Sequence, residues 1–466
     1  MNYNKPTLQD IEALRQLLGT DSVHTGDSIS ADYAHDELQT VFGQPDLLLF
    51  ARSKEDVRKI MAYANERVIP VTVRGSGTGL VGAAVPIHGG ILLDMSKMNR
   101  ILELDRKHLT LTVEPGALLL DIAAFVEAEN LMYAPDPGEK TATIGGNVAT
   151  NAGGMRAVKY GVTRDWIRGL EVVLADGSLE RLGSKAVKNS TGYALKDLLI
   201  GSEGTLGVIT EIILKLMPKP KRTISLLVPF DGRSQAIRAA TELLADGILP
   251  TGVEFFEKDL LAYSASFLGK RMPHHDHAAY LLFSFDGDDE RALAATIDRT
   301  SERLVDDFSA VDVYTIDTSE RMTDVWSARG AFLEAIKSST PMMDECDVVL
   351  PRGRIGEYLE YVRDIAKRID VRTPYFGHIG DGNLHIYICQ DDRSEQDFRA
   401  ATDRLFALMY EKAASFGGLV SGEHGIGYIK KAYMKRQLGE RQVELMRGIK
   451  RAFDPKNILN PGKVID

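Results

Sequence analysis

Only two cysteines, Cys346 and Cys389, occur in 466 residues. They are too few for a disulfide framework and lack the clustered spacing of an iron–sulfur centre, which fits a reducing compartment and two buried fillers. No uninterrupted apolar run approaches ~18 residues, so no transmembrane segment is expected. The start, Met1-Asn2-Tyr3-Asn4-Lys5-Pro6, has neither the apolar core of a signal peptide nor an Arg-rich transit pattern, and these absences together predict a cytoplasmic protein. A basic surplus is missing too: the net charge of -10 disfavours nucleic acid as a partner, because phosphate binding needs concentrated positive charge. No internal repeat or low-complexity tract occurs, and Pro273-His274-His275-Asp276-His277 reads as a solvated loop rather than a metal site.

What is present is ordinary globular material, 44% hydrophobic and 26% charged, enough for two or three domains of about 100–200 residues each. Its most informative feature is a pair of histidines, His378 and His385, flanking the turn Gly380-Asp381-Gly382-Asn383, with Glu423-His424 downstream in Ser421-Gly422-Glu423-His424-Gly425. Two neutral imidazoles and a carboxylate leave coordination positions open on a divalent ion, where a substrate oxygen can bind; a further imidazole is then left over as a base. A single histidine beside a glycine turn usually only satisfies backbone groups, but two with an adjacent Glu-His pair point to an enzyme. Thr373 to Ile388 reads as strand, turn, strand, which brings both histidines to one end of a sheet.

The first half alternates strands with glycine-rich turns. Leu8 to Leu18 has helical spacing; Asp46 to Ala51 is a strand; Ser53 opens a helix towards Arg67. Val68 to Val73 is a strand ending in Arg74-Gly75-Ser76-Gly77-Thr78-Gly79, whose backbone amides can form an anion-binding nest. Gly77-Thr78-Gly79-Leu80-Val81-Gly82 matches the dinucleotide fingerprint in spelling only, since Pro86 and His88-Gly89-Gly90 leave no room for the helix that motif must open. Strands follow at 109–113, 170–174 and 211–216, with glycine clusters at 135–138, 143–147, 151–154 and 201–207; such density over ordered β-structure means that backbone approaches something closely. Past Pro218-Lys219-Pro220, the succession of strand (224–229), helix (234–244), strands (252–256, 278–285), helix (289–308) and strand (311–316) resembles a ferredoxin-like layer. A helix at 326–337, a strand at 346–350, a helix at 355–368, the histidine hairpin and a helix at 396–414 complete an antiparallel sheet backed by helices. The terminal stretch 451–462 has no core of its own and is expected to dock onto the first domain.

Taken with their order, Arg74 to Gly79, Pro135-Asp136-Pro137, Ile144-Gly145-Gly146-Asn147, Gly201-Ser202-Glu203-Gly204-Thr205-Leu206-Gly207, Gly377 to His385, Ser421 to Gly425 and Asn460-Pro461-Gly462 resemble the FAD-linked dehydrogenases of 2-hydroxy acids over nearly the whole length. The resemblance implies an α+β fold: a vanillyl-alcohol-oxidase-type FAD-binding domain plus an antiparallel-sheet substrate domain. The expected limits are an N-terminal helical segment 1–41, FAD-binding 42–220, substrate domain 221–425 and a returning segment 426–466. It also implies that Arg74, Gly75, Ser76, Gly77, Thr78 and Gly79 hold the pyrophosphate, and that Pro135, Asp136, Gly145, Gly146, Asn147, Glu203, Gly204 and Ile209 line the adenosine, ribityl and ring portions, with Asn460 near the isoalloxazine. The phosphate loop lacks the histidine of covalently flavinylated relatives, so FAD is expected to be dissociable.

By the same carry-over His378, His385 and Glu423 bind one divalent metal (zinc, iron or manganese), His424 is the general base, and Arg329 grips the substrate carboxylate. Read from its own surroundings, Arg329 is first a helix-surface arginine in a salt bridge, and only the resemblance assigns it to the substrate. Relatives that take 2-hydroxyglutarate carry lysine where Glu345 stands here, a reversal of charge that disfavours a second carboxylate and leaves D-lactate, with glycolate close behind. With neither an NAD fingerprint nor an iron–sulfur motif, electrons are expected to pass to another protein, and residues 326–352 resemble lactate dehydrogenases that work with an electron-transferring flavoprotein.

Overall fold

In the computed structural model, which describes residues 3–37, 40–269 and 275–465, the first regular elements follow directly from their sequence. Leu47–Phe50 is a strand of mostly buried leucines, and Ser53 caps the helix Lys54–Arg67 by accepting from the Asp56 N–H, which gives one orphan donor of the first turn a partner. The helix ends at Val68 in a left-handed conformation, φ 54°, so the strand expected from Val68 begins only at Val71. Val71–Arg74 and Leu47–Phe50 pair in parallel on either side of Ile91–Asp94, and Val23–Thr25 adds antiparallel beyond Leu47–Phe50. Among the described residues no helix intervenes between Arg74 and Ile91, as the Pro86 and Gly89-Gly90 reading requires. A second sheet is wholly antiparallel, ordered Ile101–Asp105, Thr110–Val113, Val208–Lys215, Ile167–Val173, Leu179–Gly183.

The histidine hairpin belongs to a seven-stranded antiparallel sheet ordered Tyr314–Ile316, Arg222–Phe230, Ala279–Gly287, Gly252–Glu257, Tyr375–His378, Asn383–Cys389, Met343–Val349. Its first four strands have the ferredoxin-like arrangement, with Arg233–Ala245 and Glu290–Asp306 as the connecting helices. Three helical features departed from expectation. Lys258–Leu268 follows its strand without a turn residue or a side-chain cap, so nothing in the local sequence announced it. The helix expected over 326–337 is two, Ser319–Gly330 and Phe332–Lys337. Lys431–Leu438 and Glu440–Phe453 fill the return segment, where only a docking tail was expected.

The chain divides into two compact units, one of 1–153, 162–219 and 423–466, the other of 154–161 and 220–422. These limits differ from the expected ones in three places. Residues 1–41 are no separate segment: Leu14 lies in the same core as Leu47, Ile60 and Ile91, and buried Asp10 accepts from Tyr63 and Arg67. Residues 154–161 belong with the second unit, where Lys159 and Tyr160 bond Asp286. The second unit ends at Gly422, so Glu423, His424 and Gly425 belong to the first. The terminal stretch joins the first core as expected, through fully buried Ile458 and Leu459 and a parallel bridge of Leu459 to Val71. Both cysteines are buried. No described helix is long and apolar enough to cross a membrane. In the loop 273–277, Pro273 and His274 lie outside the described residues.

Candidate active site

Strand register explains why the two histidines meet. Phe376 stands opposite His385 and His378 opposite Asn383, and because alternate residues share a face, His378 and His385 project from the same side of the sheet. The turn between them needs its glycines: Gly382 has φ +94°, and a Cβ there would collide with the Leu350 carbonyl. The imidazole rings lie 5.4 Å apart at 85°, and a ring nitrogen of each lies within 4.8 Å of one on the other.

Each ring is oriented by a buried carboxylate that the sequence reading did not assign to it. Glu254 is the cross-strand partner of His378 and its Oε1 lies 2.6 Å from His378 Nδ1. Glu345 Oε1 lies 2.9 Å from His385 Nδ1. A carboxylate accepting from Nδ1–H leaves the lone pair on Nε2, the arrangement that suits a histidine for a cation. The donor set therefore fits a divalent metal. Glu345, expected only to repel a dicarboxylate, is 5% exposed and occupied with His385. Burial pushes the Glu254 carboxyl up, but Arg329 and His378 more than offset this and hold it below the usual range.

Arg329, on Ser319–Gly330, does form a salt bridge. Its Nε and Nη2 lie 2.8 and 2.5 Å from Glu254 Oε2, and its guanidinium stacks 4.4 Å from the centre of the Phe376 ring. On the same face Asp347, opposite His385 in the ladder, accepts from Asn383 Nδ2 and Ser421 Oγ, each at 2.7 Å.

In the first unit the expected cofactor residues line up as backbone rather than side chains. Among the described residues, no hydrogen bond is donated by the backbone N–H groups of 75–81, as an anion-binding loop needs. The Arg74 side chain is turned away from the loop. It donates to the carbonyls of His35 and Asp32 at 2.7 and 3.0 Å and packs over Tyr33. Ser76 Oγ donates to the Thr141 carbonyl, Asp136 pairs with Lys140, and no atom of the described residues stands within 4 Å of where a Cβ on Gly79 would be. Gly145, Gly146 and Asn147 open the short helix Ile144–Thr150, capped by Thr143. Among the described residues Asn147 Nδ2 is buried without a hydrogen-bond partner, an orphaned donor that a bound cofactor would satisfy. Unpaired loop amides and this amide fit FAD.

Asn460 Nδ2 donates to the carbonyls of Ala83 and Glu203 at 2.9 and 2.7 Å. Glu203 itself has φ +52°, and its carboxylate accepts from the N–H groups of Ile426 and Gly427 at 2.7 and 2.8 Å. Burial raises that carboxyl to about 7, against those N–H groups and Lys430 and Lys463; burial likewise lowers the Lys463 ammonium to about 7. Gly204 has φ +72° and Ile209 is buried. His424 Nε2 stands 3.6 Å from Glu423 Oε1, and Gly153, from the cluster 151–154, makes room for Glu423: a Cβ on it would lie 2.9 Å from Oε2.

Residues 219–464 match the family of FAD linked oxidases, C-terminal domain, and residues 45–183 match the FAD binding domain. The chain is 45% identical to a D-lactate dehydrogenase of Anaerostipes hadrus over 99% of its own length and 98% of that protein. It is 37% identical to glycolate oxidase subunit GlcD of Bacillus subtilis, over 97% and 96% of the two chains. Among solved structures, p-cresol methylhydroxylase with substrate bound superposes with a TM-score of 0.80 at 18% identity, covering 98% of this chain and 96% of that one, a likeness of fold alone.

Proposed function

From a chain that belongs to the FAD-linked oxidases, and is on that ground an FAD-dependent oxidoreductase with a vanillyl-alcohol-oxidase-type α+β fold, we propose that the reaction is the oxidation of D-lactate to pyruvate. The observation that carries this reading is the pair of buried imidazoles, each turned by its own carboxylate so that Nε2 can accept a cation. The 45% identity to a D-lactate dehydrogenase over the whole chain supports the substrate.

In this reading His378, His385 and Glu423 hold one divalent ion, zinc, iron or manganese. The amides of residues 74 to 79 hold the FAD pyrophosphate non-covalently, Pro135, Asp136, Gly145, Gly146, Asn147, Glu203, Gly204 and Ile209 line the remainder, and Asn460 lies near the isoalloxazine. When bound, the ion supplies a pull on the substrate hydroxyl oxygen and FAD an acceptor for the hydride on C2. His424 takes the hydroxyl proton as general base. Arg329 presents the edge of its guanidinium not turned to Glu254 to the substrate carboxylate, a planar donor suited to that shape. Glu345, committed to His385, offers no cation to a distal carboxylate, which argues against dicarboxylic substrates.

Glycolate is the second reading, favoured by the 37% identity to a glycolate oxidase subunit, since a single methyl discriminates by only ~1–3 kcal/mol. We place the reaction in the cytoplasm and pass its electrons to an electron-transferring flavoprotein. Anaerobic bleaching of the bound flavin by D-lactate, L-lactate, glycolate and D-2-hydroxyglutarate tests the substrate, with D-lactate expected fastest and L-lactate inert. Bleaching led by glycolate would transfer the assignment to the second reading. Mixing the protein with D-lactate and a purified electron-transferring flavoprotein should reduce the latter; activity with a quinone alone would dismiss that partner.

A further inference from the structure

Glu423 and His424 stand where the chain passes from one unit to the other, Gly422 closing the second and Glu423 opening the last segment of the first. Neither lies in a helix or strand. Upstream, within the second unit, fully buried Asp347 accepts from Ser421 Oγ at 2.7 Å and from the Gly422 N–H at 3.2 Å to each oxygen. The same carboxylate takes Asn383 Nδ2 at 2.7 Å, so one side chain ties the approach to Glu423 to the hairpin that carries His378 and His385. Downstream, within the first unit, both oxygens of buried Glu203 take the N–H groups of Ile426 and Gly427. Gly425, φ +87°, lies against that carboxylate, and a Cβ on it would stand 3.0 Å from Cδ.

We propose that Asp347 and Glu203 are positioning residues that hold Glu423 and His424 from their two ends, each acting within its own unit. The inference rests on the roles proposed above for Glu423 and His424. Charge-assisted bonds are the strong kind, and those from Ser421 Oγ and the Gly422 N–H on one side and from the Ile426 and Gly427 N–H groups on the other leave the intervening dipeptide little freedom. Although Glu203 is among the residues assigned to line the cofactor, the work of its carboxylate is then done on the return segment, where both oxygens accept from N–H groups.

Glu203→Gln and Asp347→Asn keep size but turn one acceptor towards an N–H into a donor. In the full-length, FAD-loaded protein, hydrogen exchange is expected to rise about tenfold or more at 425–428 in the first variant and at 420–423 in the second, as the loss of a bond to a charged group implies. With D-lactate, kcat should fall roughly 10–100-fold with KM nearly unchanged, FAD content should be kept, and Glu203→Asp should restore part of the rate. Raised exchange with an unchanged kcat overturns the proposal, as does unchanged exchange. Loss of FAD from Glu203→Gln, with a normal rate once FAD is resupplied, overturns it by making Glu203 a cofactor ligand. If Asp347→Asn does not fold, Ser421→Ala removes one donor to the same carboxylate and should show the same pattern at smaller size; no change there overturns the Asp347 half. Should the unaltered protein oxidise no 2-hydroxy acid, the substrate reading fails by itself, while the exchange arm, which needs no substrate, still decides whether the two carboxylates anchor the dipeptide.

Discussion

In the sheet unit the groups offered to a ligand are side chains, His378 and His385, each turned by a buried carboxylate. In the glycine-rich unit they are backbone, the amides of 75–81 and the short helix that begins at Ile144. A side-chain site needs a second layer of residues to fix rotamer and tautomer. A backbone site needs only that nothing stand in the way, which is why glycine recurs there and buried carboxylates recur in the other. Damage should accordingly take different forms: loss of rate or metal where side chains are the working groups, Glu423 and His424 of the return segment included, and loss of cofactor and stability where the glycine-rich backbone is.

The largest effect is expected from His424→Ala, which should slow flavin reduction by D-lactate about 10²–10⁴-fold, the range of a general base, while FAD stays bound; stopped-flow absorbance under anaerobic conditions reads both. A rate within a few-fold of the unaltered protein would remove His424 from the chemistry. Dialysis against a strong chelator comes next, lowering turnover by about 10²-fold or more without altering the flavin spectrum, with recovery on adding back zinc, iron or manganese. Release of FAD along with the ion would break the contrast between the units. Glu254→Gln should weaken metal affinity about 10–100-fold, the usual cost of an orienting partner, seen as metal content after gel filtration. Equal metal content would leave Glu254 as a partner of Arg329 alone. The smallest is Gly145→Ala, where the new Cβ would meet Pro115 Cβ at 2.6 Å: a loss of ~1–3 kcal/mol of stability, partly recovered by excess FAD and read from Tm with and without it. An FAD-independent Tm would say that this glycine packs the fold and does nothing for the cofactor.

Much of this was legible beforehand because it is local. Aromatic and β-branched runs broken by glycines announced the hairpin of His378 and His385; Pro86 and Gly89-Gly90 ruled out a helix after the loop 74–79; Ser53 marked a helix start. Residue types and their order carried the family. What local pattern could not carry were the partners. Glu254 lies 124 residues from His378, Asp347 lies 75 from Gly422, and Glu203 lies 223 from Ile426. A glutamate on a strand looks the same whether it faces water or a histidine, and Arg329 reads by itself as an ion-pair arginine whose partner the sequence does not name. Strand order and register decided the pairing of Glu254 with His378, loop placement the other two, and the segregation of the chain at Gly422 decided that Glu423 and His424 belong with the cofactor unit. Chemistry is written in residue identity, whereas orientation comes from which distant carboxylate the folded sheet sets opposite each ring.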